Sequence, residues 1–223
     1  MKKFDTLKLF WDKYLYKISI HNTLSPIFRS KNLSYARQVL DELQYSYEVG
    51  DPLIQKKFKR QILVKEEAFL DAKKIFSHLS KKEDFLLRIE GLELSVYSNN
   101  LSFLKKIISD ISQNNVIGIW EPNKNVEKLL SPNVIFVNFD IEYNYKVTLG
   151  NGIADTSGFA NWVKNNPKQI KLGNTILNEL SNNGYVNNMY FYARDEKTIQ
   201  LCNLMLDNIR RIDKIITTHN IDK

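Results

Sequence analysis

Phe85-Leu86-Leu87-Arg88-Ile89-Glu90-Gly91-Leu92-Glu93-Leu94-Ser95-Val96-Tyr97 is the stretch on which the fold turns. Apolar side chains dominate it and Gly91 interrupts it, which reads as strand with a bulge or a tight hairpin at the glycine. Ser98-Asn99-Asn100 then punctuates the chain. Leu104, Ile107, Ile108 and Ile111 follow three and four residues apart, which places them on one helix face. Strand, polar corner and amphipathic helix occur here in a chain of 223 residues with only 8 glycines and 5 prolines. A β-sandwich or propeller needs more turn residues, so the class is α+β, with mixed sheets packed against about six helices.

Toward the N-terminus, residues 14–20 read as a strand, and His21-Asn22-Thr23-Leu24-Ser25-Pro26 breaks it. A helix is expected from about Ser34, with Leu33, Ala36, Leu40, Leu43 and Tyr47 on one face and Gly50-Asp51-Pro52 as its stop. The basic segment 56–60 reads as an exposed link or helix start. Ala68, Ala72, Ile75, Phe76 and Leu79 mark the next helix. Toward the C-terminus, Val116–Trp120, Val134–Val137 and Glu142–Leu149 read as strands, and 150–158 is a loop that is flexible by composition. Phe159–Lys164 reads as a short helix stopped near Pro167. A helix capped by Asn174 runs to Gly184, Met189–Tyr192 is a strand, and 198–217 reads as one last helix carrying Ile199, Cys202, Met205, Ile209, Ile212 and Ile216. One domain over 1–223 accommodates this, and so do two packed lobes, 1–112 and 113–223. Tyr97-Ser98-Asn99-Asn100 and Tyr192-Ala193-Arg194-Asp195 both lead from a strand into a helix, the echo that two βαβ-containing halves would produce.

Composition narrows the function classes. Hydrophobic residues make up 43% of the chain, too many for a disordered segment. The single cysteine, Cys202, excludes an internal disulfide framework and a multi-thiolate zinc site, and points to a reducing compartment. No apolar run approaches the ~18 residues of a membrane span. Asp5, Lys8, Asp12 and Lys13 break any signal-peptide apolar region after the basic start, so the expected location is the cytoplasm. The net charge of +7 permits a polyanionic partner. It is spread over Lys pairs flanked by apolar positions, the pattern of solvated helix faces.

Four constellations could carry function. His21-Asn22-Thr23 after a strand resembles half the signature of two-histidine phosphoesterases, where histidines act as acid and base. The only other partner motif is His78-Leu79-Ser80, on a helix, and a turn organised by His21 and Thr23 explains the first motif as well. Asp140, Glu142 and Lys146, which a period of two places with Asn144 on one strand face, are similar to the carboxylate-and-lysine sets of metal-dependent nucleases. Here, however, the lysine lies four residues after Glu142 rather than two. Val134–Phe139 and Tyr190-Phe191-Tyr192-Ala193-Arg194 resemble the sheet motifs of RNA-recognition modules, in which aromatics stack on bases, although the second lacks a glycine. Trp162, Lys164, Lys168 and Lys171 cluster beside the 150–158 loop. With Tyr190, Tyr192 and Arg194 they form the candidate binding set. No phosphate loop, dinucleotide fingerprint, zinc spacing or nucleophile elbow occurs, so no catalytic residue, metal or cofactor is assigned.

Tyr16-Lys17-Ile18-Ser19-Ile20, Arg88-Ile89-Glu90 followed by Val96-Tyr97-Ser98-Asn99, and Tyr145-Lys146-Val147-Thr148-Leu149-Gly150 are similar to segments of accessory proteins of T4-like tailed bacteriophages. The likeness spans most of the chain as a style of short segments and transfers no residue role. It implies a protein made early in infection that acts on the host, as host-takeover and anti-defence proteins do. Three functions stay open: a non-enzymatic binder of a host protein, a nucleic-acid-binding module with a basic aromatic sheet face, and a phosphodiesterase or nuclease.

Overall fold

The computed structural model describes residues 2–29, 33–57, 60–151 and 156–218, without the side chains of 57 and 60. The chain divides into two compact units, Met1–Thr6 with Lys13–Asn123, and Leu7–Asp12 with Lys124–Lys223. Each has its own five-stranded sheet and its own hydrophobic core.

In the first unit the chain runs through β1 (Lys2–Thr6), β2 (Tyr16–His21), α1 (Ser34–Val49), β3 (Ile54–Lys57), β4 (Arg60–Leu63) and α2 (Glu66–Leu79). It continues through β5 (Phe85–Glu90), β6 (Glu93–Ser98), α3 (Leu101–Asp110) and β7 (Val116–Pro122). The sheet order is β1-β7-β2-β6-β5, with β1 parallel to β7 and the other pairs antiparallel. The opening stretch is a tight hairpin, with Glu90 paired to Glu93 and Gly91 at φ +61°, a conformation that glycine enters without a Cβ penalty. Asn100 caps α3 by accepting the Phe103 N–H at 3.0 Å. Gly50, at φ +77°, ends α1. Because strand side chains alternate, Ile18, Ile20, Leu94, Val96 and Ile119 face the helices in the core, while Lys17, Ser19, Ser95, Tyr97 and Trp120 face the other way. The segment expected as a link or helix start is instead the β3–β4 hairpin, closed where the Val64 N–H donates to the Leu53 C=O at 2.8 Å. Lys59 lies outside the described residues.

In the second unit β8 (Val134–Val137), β9 (Tyr145–Leu149), α4 (Ser157–Asn165), β10 (Ile170–Lys171), α5 (Asn174–Ser181), β11 (Tyr190–Ala193), α6 (Glu196–Met205) and β12 (Ile209–Thr217) follow in order. The sheet order is β8-β12-β9-β11-β10. Val147, Leu149, Phe191 and Ala193 pack with Phe159, Ala160, Val163, Leu180, Ile199 and Cys202 from α4, α5 and α6. Burial pushes the Cys202 thiol up to about 12, so it is a core side chain and not a nucleophile.

Three expectations change in this unit. The helix over 198–217 ends at Met205, and 209–217 is the strand between β9 and β8. Ile209, Ile212 and Ile216 fit a helical period, but β-branched side chains also suit a strand, and this slot satisfies the backbone of two neighbours at once. The strand expected over 142–149 begins at Tyr145. Gly173, rather than Asn174, occupies the N-cap position of α5. Of the 150–158 loop, residues 152–155 lie outside the described residues.

The two sheets share one plan. In each, an edge strand (β1 or β8) lies parallel to the strand that returns from a helical crossover (β7 or β12). In each, β6-α3-β7 or β11-α6-β12 straddles an antiparallel middle strand, β2 or β9. The registers coincide. Lys17 pairs with Tyr97 as Lys146 pairs with Tyr192, and Ser19 pairs with Ser95 as Thr148 pairs with Tyr190. A bulge falls at the same place, with Ile117 extra opposite Ser19–Ile20 and Arg210 extra opposite Thr148–Leu149. The caps match too, since Asp195 accepts the Thr198 N–H at 2.8 Å as Asn100 accepts that of Phe103. The middle strands read Tyr16-Lys17-Ile18-Ser19-Ile20 and Tyr145-Lys146-Val147-Thr148-Leu149.

Candidate functional site

Among the described residues of the second unit, the helices cover one face of its sheet and leave the other without one. Alternation along β11 sends Phe191 and Ala193 into the core and Tyr190 and Tyr192 to the helix-free face. Cross-strand pairing builds a row of Lys171, Tyr192, Lys146 and Asp213 across that face, with Tyr190, Thr148 and Arg211 alongside. Tyr190 is 42% exposed and Tyr192 half-buried. Their rings meet edge to face, 5.6 Å between centroids and 76° between planes. The Lys146 ammonium lies 4.0 Å from the centre of the Tyr190 ring.

Electrostatics divide the cations of this face into two kinds. Burial holds the Lys146 ammonium below the usual lysine range, and the nearby charges of Lys8 and Arg211 act in the same direction against Asp213. Burial likewise raises the Tyr192 phenol, helped by Tyr190. Arg211 is held in place: its Nε donates to Asp213 Oδ1 at 2.6 Å, and Nη1 and Nη2 grip the Asp12 carboxylate at 2.5 and 2.6 Å. Asp213 is only 3% exposed, so Arg211 neutralises a buried charge. Asp12 follows Trp11, and both adopt left-handed backbone, φ +56° and +55°, which the Arg211 fork helps to hold. Arg211 therefore has a structural occupation, whereas the exposed Lys171 is engaged by no such fork.

The sequence-derived set separates across the sheet. Tyr190, Tyr192 and Lys171 share the helix-free face. Arg194 lies exposed at the corner after β11, its N–H donating to the Gln169 C=O at 2.9 Å. Lys168 is exposed on the α4–β10 loop. Trp162 and Lys164 sit on α4, the helix that covers the opposite face. Trp162 packs against the core beside Phe159, 6.1 Å between rings, and its C=O accepts from Asn166 Nδ2 at 2.8 Å.

Asp140, Glu142 and Lys146 do not share a strand face, because residues 139–143 leave the sheet before β9 begins. That segment instead forms one wall of a cleft of about 640 Å³, facing Lys171, Leu172 and Tyr192, and the Tyr143 hydroxyl donates to the Pro167 C=O at 3.2 Å across it. Among the described residues no group of three or more His, Cys, Asp or Glu is arranged to hold a metal ion. The two histidines differ in setting. His21 is exposed at the end of β2, whereas His78 is buried on α2 with Nε2 2.6 Å from Asp110 Oδ2. The turn after β2 is organised by Asn22 rather than by His21 and Thr23. Asn22 Oδ1 accepts the Leu24 N–H at 2.8 Å and Nδ2 donates to the Ala68 C=O at 2.9 Å.

No protein-family model, curated protein or solved structure matches the chain. Among the described residues no helix is long and apolar enough to cross a membrane. Sequence reasoning placed Lys146 in the nuclease-like set rather than on this face, and did not single out Arg211. The paired Tyr-Lys-x-Ser/Thr strands held the signal for the first, and assigning 209–217 to a helix concealed the second.

Proposed function

We propose that the helix-free face of the second sheet binds single-stranded nucleic acid, and that the protein acts by binding rather than by chemistry. The observation that carries this is the pair Tyr190 and Tyr192 on one sheet face, flanked by Lys146 and Lys171 from the neighbouring strands. Every base has a π-face, so an aromatic strand with cations beside it recognises a single strand without reading its sequence. The Lys146 ammonium, partly stripped of water, gains more from a phosphate than a fully hydrated lysine does. The similarity to accessory proteins of T4-like phages fits a binder that works in the host cytoplasm, on a host factor such as a defence protein or on the nucleic acid that factor handles.

Anisotropy of a labelled oligonucleotide tests the reading. With Lys146, Lys171 and Arg194 as the phosphate contacts, log K falls with log salt at a slope of about −2. Tyr192→Ala weakens binding by roughly tenfold, within the ~1–3 kcal/mol of a base–aromatic stack. Absence of binding at low salt refutes the proposal. A host-lysate pull-down adds a second readout: nuclease treatment releases a partner held through nucleic acid and leaves one held directly.

A further inference from the structure

The binding face of the second sheet has a counterpart in the first, position for position. Lys17 stands where Lys146 stands, Tyr97 where Tyr192 stands and Trp120 where Asp213 stands. In both sheets the middle-strand lysine lies over aromatic rings. The Lys17 ammonium is 4.3 Å from the Trp120 ring centre and 5.9 Å from that of Tyr97, against 4.0 Å between Lys146 and Tyr190. Burial is the first cause that lowers both lysines from their usual range. Leaving an ammonium partly out of water is unfavourable in each sheet, and a phosphate placed beside it relieves that cost.

The first unit carries its aromatic platform toward the sheet edge. Phe4 on β1 is 38% exposed and stacks on Trp120, 4.6 Å between centroids at 17°. Gly118 makes this possible, because a Cβ there would come within 2.6 Å of Phe4 Cε2. At the equivalent place the second unit has Arg211, so the aromatic surface shifts there to Tyr190 on the far side of the lysine. Lys2 and Arg88 lie on the same face of the first sheet, two strands to either side of Ser19, and both are exposed. The carboxylates nearby are Glu93, 3.9 Å from Lys17, and Glu90, bonded to Arg88.

We infer that the Phe4, Trp120 and Lys17 face is a second site for single-stranded nucleic acid, so that one chain holds two strand segments on two copies of one fold. The inference rests on the reading of the second sheet given above. It concerns which ligand the first unit takes, and it has a separate outcome.

Titrating the full chain with an oligo(dT) about 12 nucleotides long, within the span of a single sheet-face site, measures the stoichiometry by sedimentation. Two strands bind per wild-type chain. Phe4→Ala with Lys17→Gln leaves one, and Tyr190→Ala with Tyr192→Ala leaves the other. Lys2→Gln with Arg88→Gln, at exposed positions that spare the fold, weakens the first-unit site about tenfold and leaves the second unchanged. One strand per wild-type chain, unaffected by the first-unit variants and abolished by the tyrosine variants, overturns this inference while the second-sheet reading stands. No binding by wild type under low salt overturns both.

Discussion

Gly118→Ala is the substitution whose outcome follows most directly from the geometry. The new methyl would meet Phe4 Cε2 at 2.6 Å and would lie 3.1 Å from both Phe4 Cδ2 and the Lys2 carbonyl oxygen. Carbon atoms do not approach to the first distance, so the Phe4 ring must leave its place. It can, because β1 is an edge strand and the ring is already 38% exposed. Leaving forfeits the stack on Trp120, about 0.5–1.5 kcal/mol beyond simple burial. The part of the ring now out of water adds roughly 1 kcal/mol at about 25 cal/mol per Å². Replacing glycine in the unfolded chain returns about 0.5 kcal/mol. The expected net loss is about 1–2 kcal/mol, by the balance of the same terms. Urea unfolding followed by circular dichroism measures it. Phe4→Ala alone should cost a similar amount, and the double variant should cost no more than Phe4→Ala alone, because the methyl then fills vacated space. If the two single effects add to within ~0.5 kcal/mol, the rings do not lie where the reasoning places them.

Two further outcomes follow from the ion pairs. Arg211→Met leaves Asp213, 3% exposed, without its guanidinium and should cost about 3 kcal/mol in urea unfolding, whereas a cost below about 1 kcal/mol means that Asp213 reaches water. The hydrogen bond from His78 holds the Asp110 carboxyl below the usual range. A depressed carboxyl contributes stability above its unfolded value and loses it as pH falls through the folded one, so the stability difference between wild type and Asp110→Asn should shrink as pH drops below about 4. A difference that stays constant down to pH ~2 removes the linkage.

Much of the fold was legible because local chemistry and tertiary structure agree there. Gly91 turns the opening hairpin, Gly50 stops α1, and Asn100 caps α3, each by a backbone requirement that neighbouring residues already announce. Agreement failed where one segment satisfied two periods. Ile209, Ile212 and Ile216 lie along a helix face as readily as on a strand, and nothing local marks the gap that β12 fills between β9 and β8. The candidate site was half legible for a related reason. Adjacency in sequence put Trp162 and Lys164 with Lys171, but both sit on α4, on the helix-covered side of the sheet, while strand pairing carries Lys171 to the other side.

Taken alone, the sequence determined the α+β class, most element positions and the polar corners that enter α3 and α6. These depend on backbone preference and on the spacing of apolar side chains, which are properties of neighbours in the chain. The tertiary structure decided which sheet face stays free of helices and whether a given cation is available. Lys146 lies over Tyr190 because β9 and β11 pair side by side, and Arg211 is engaged because Asp12, far away in the chain, closes on it. Both follow from contacts between residues remote in sequence, and a linear pattern does not encode which of two charged side chains a distant carboxylate will reach.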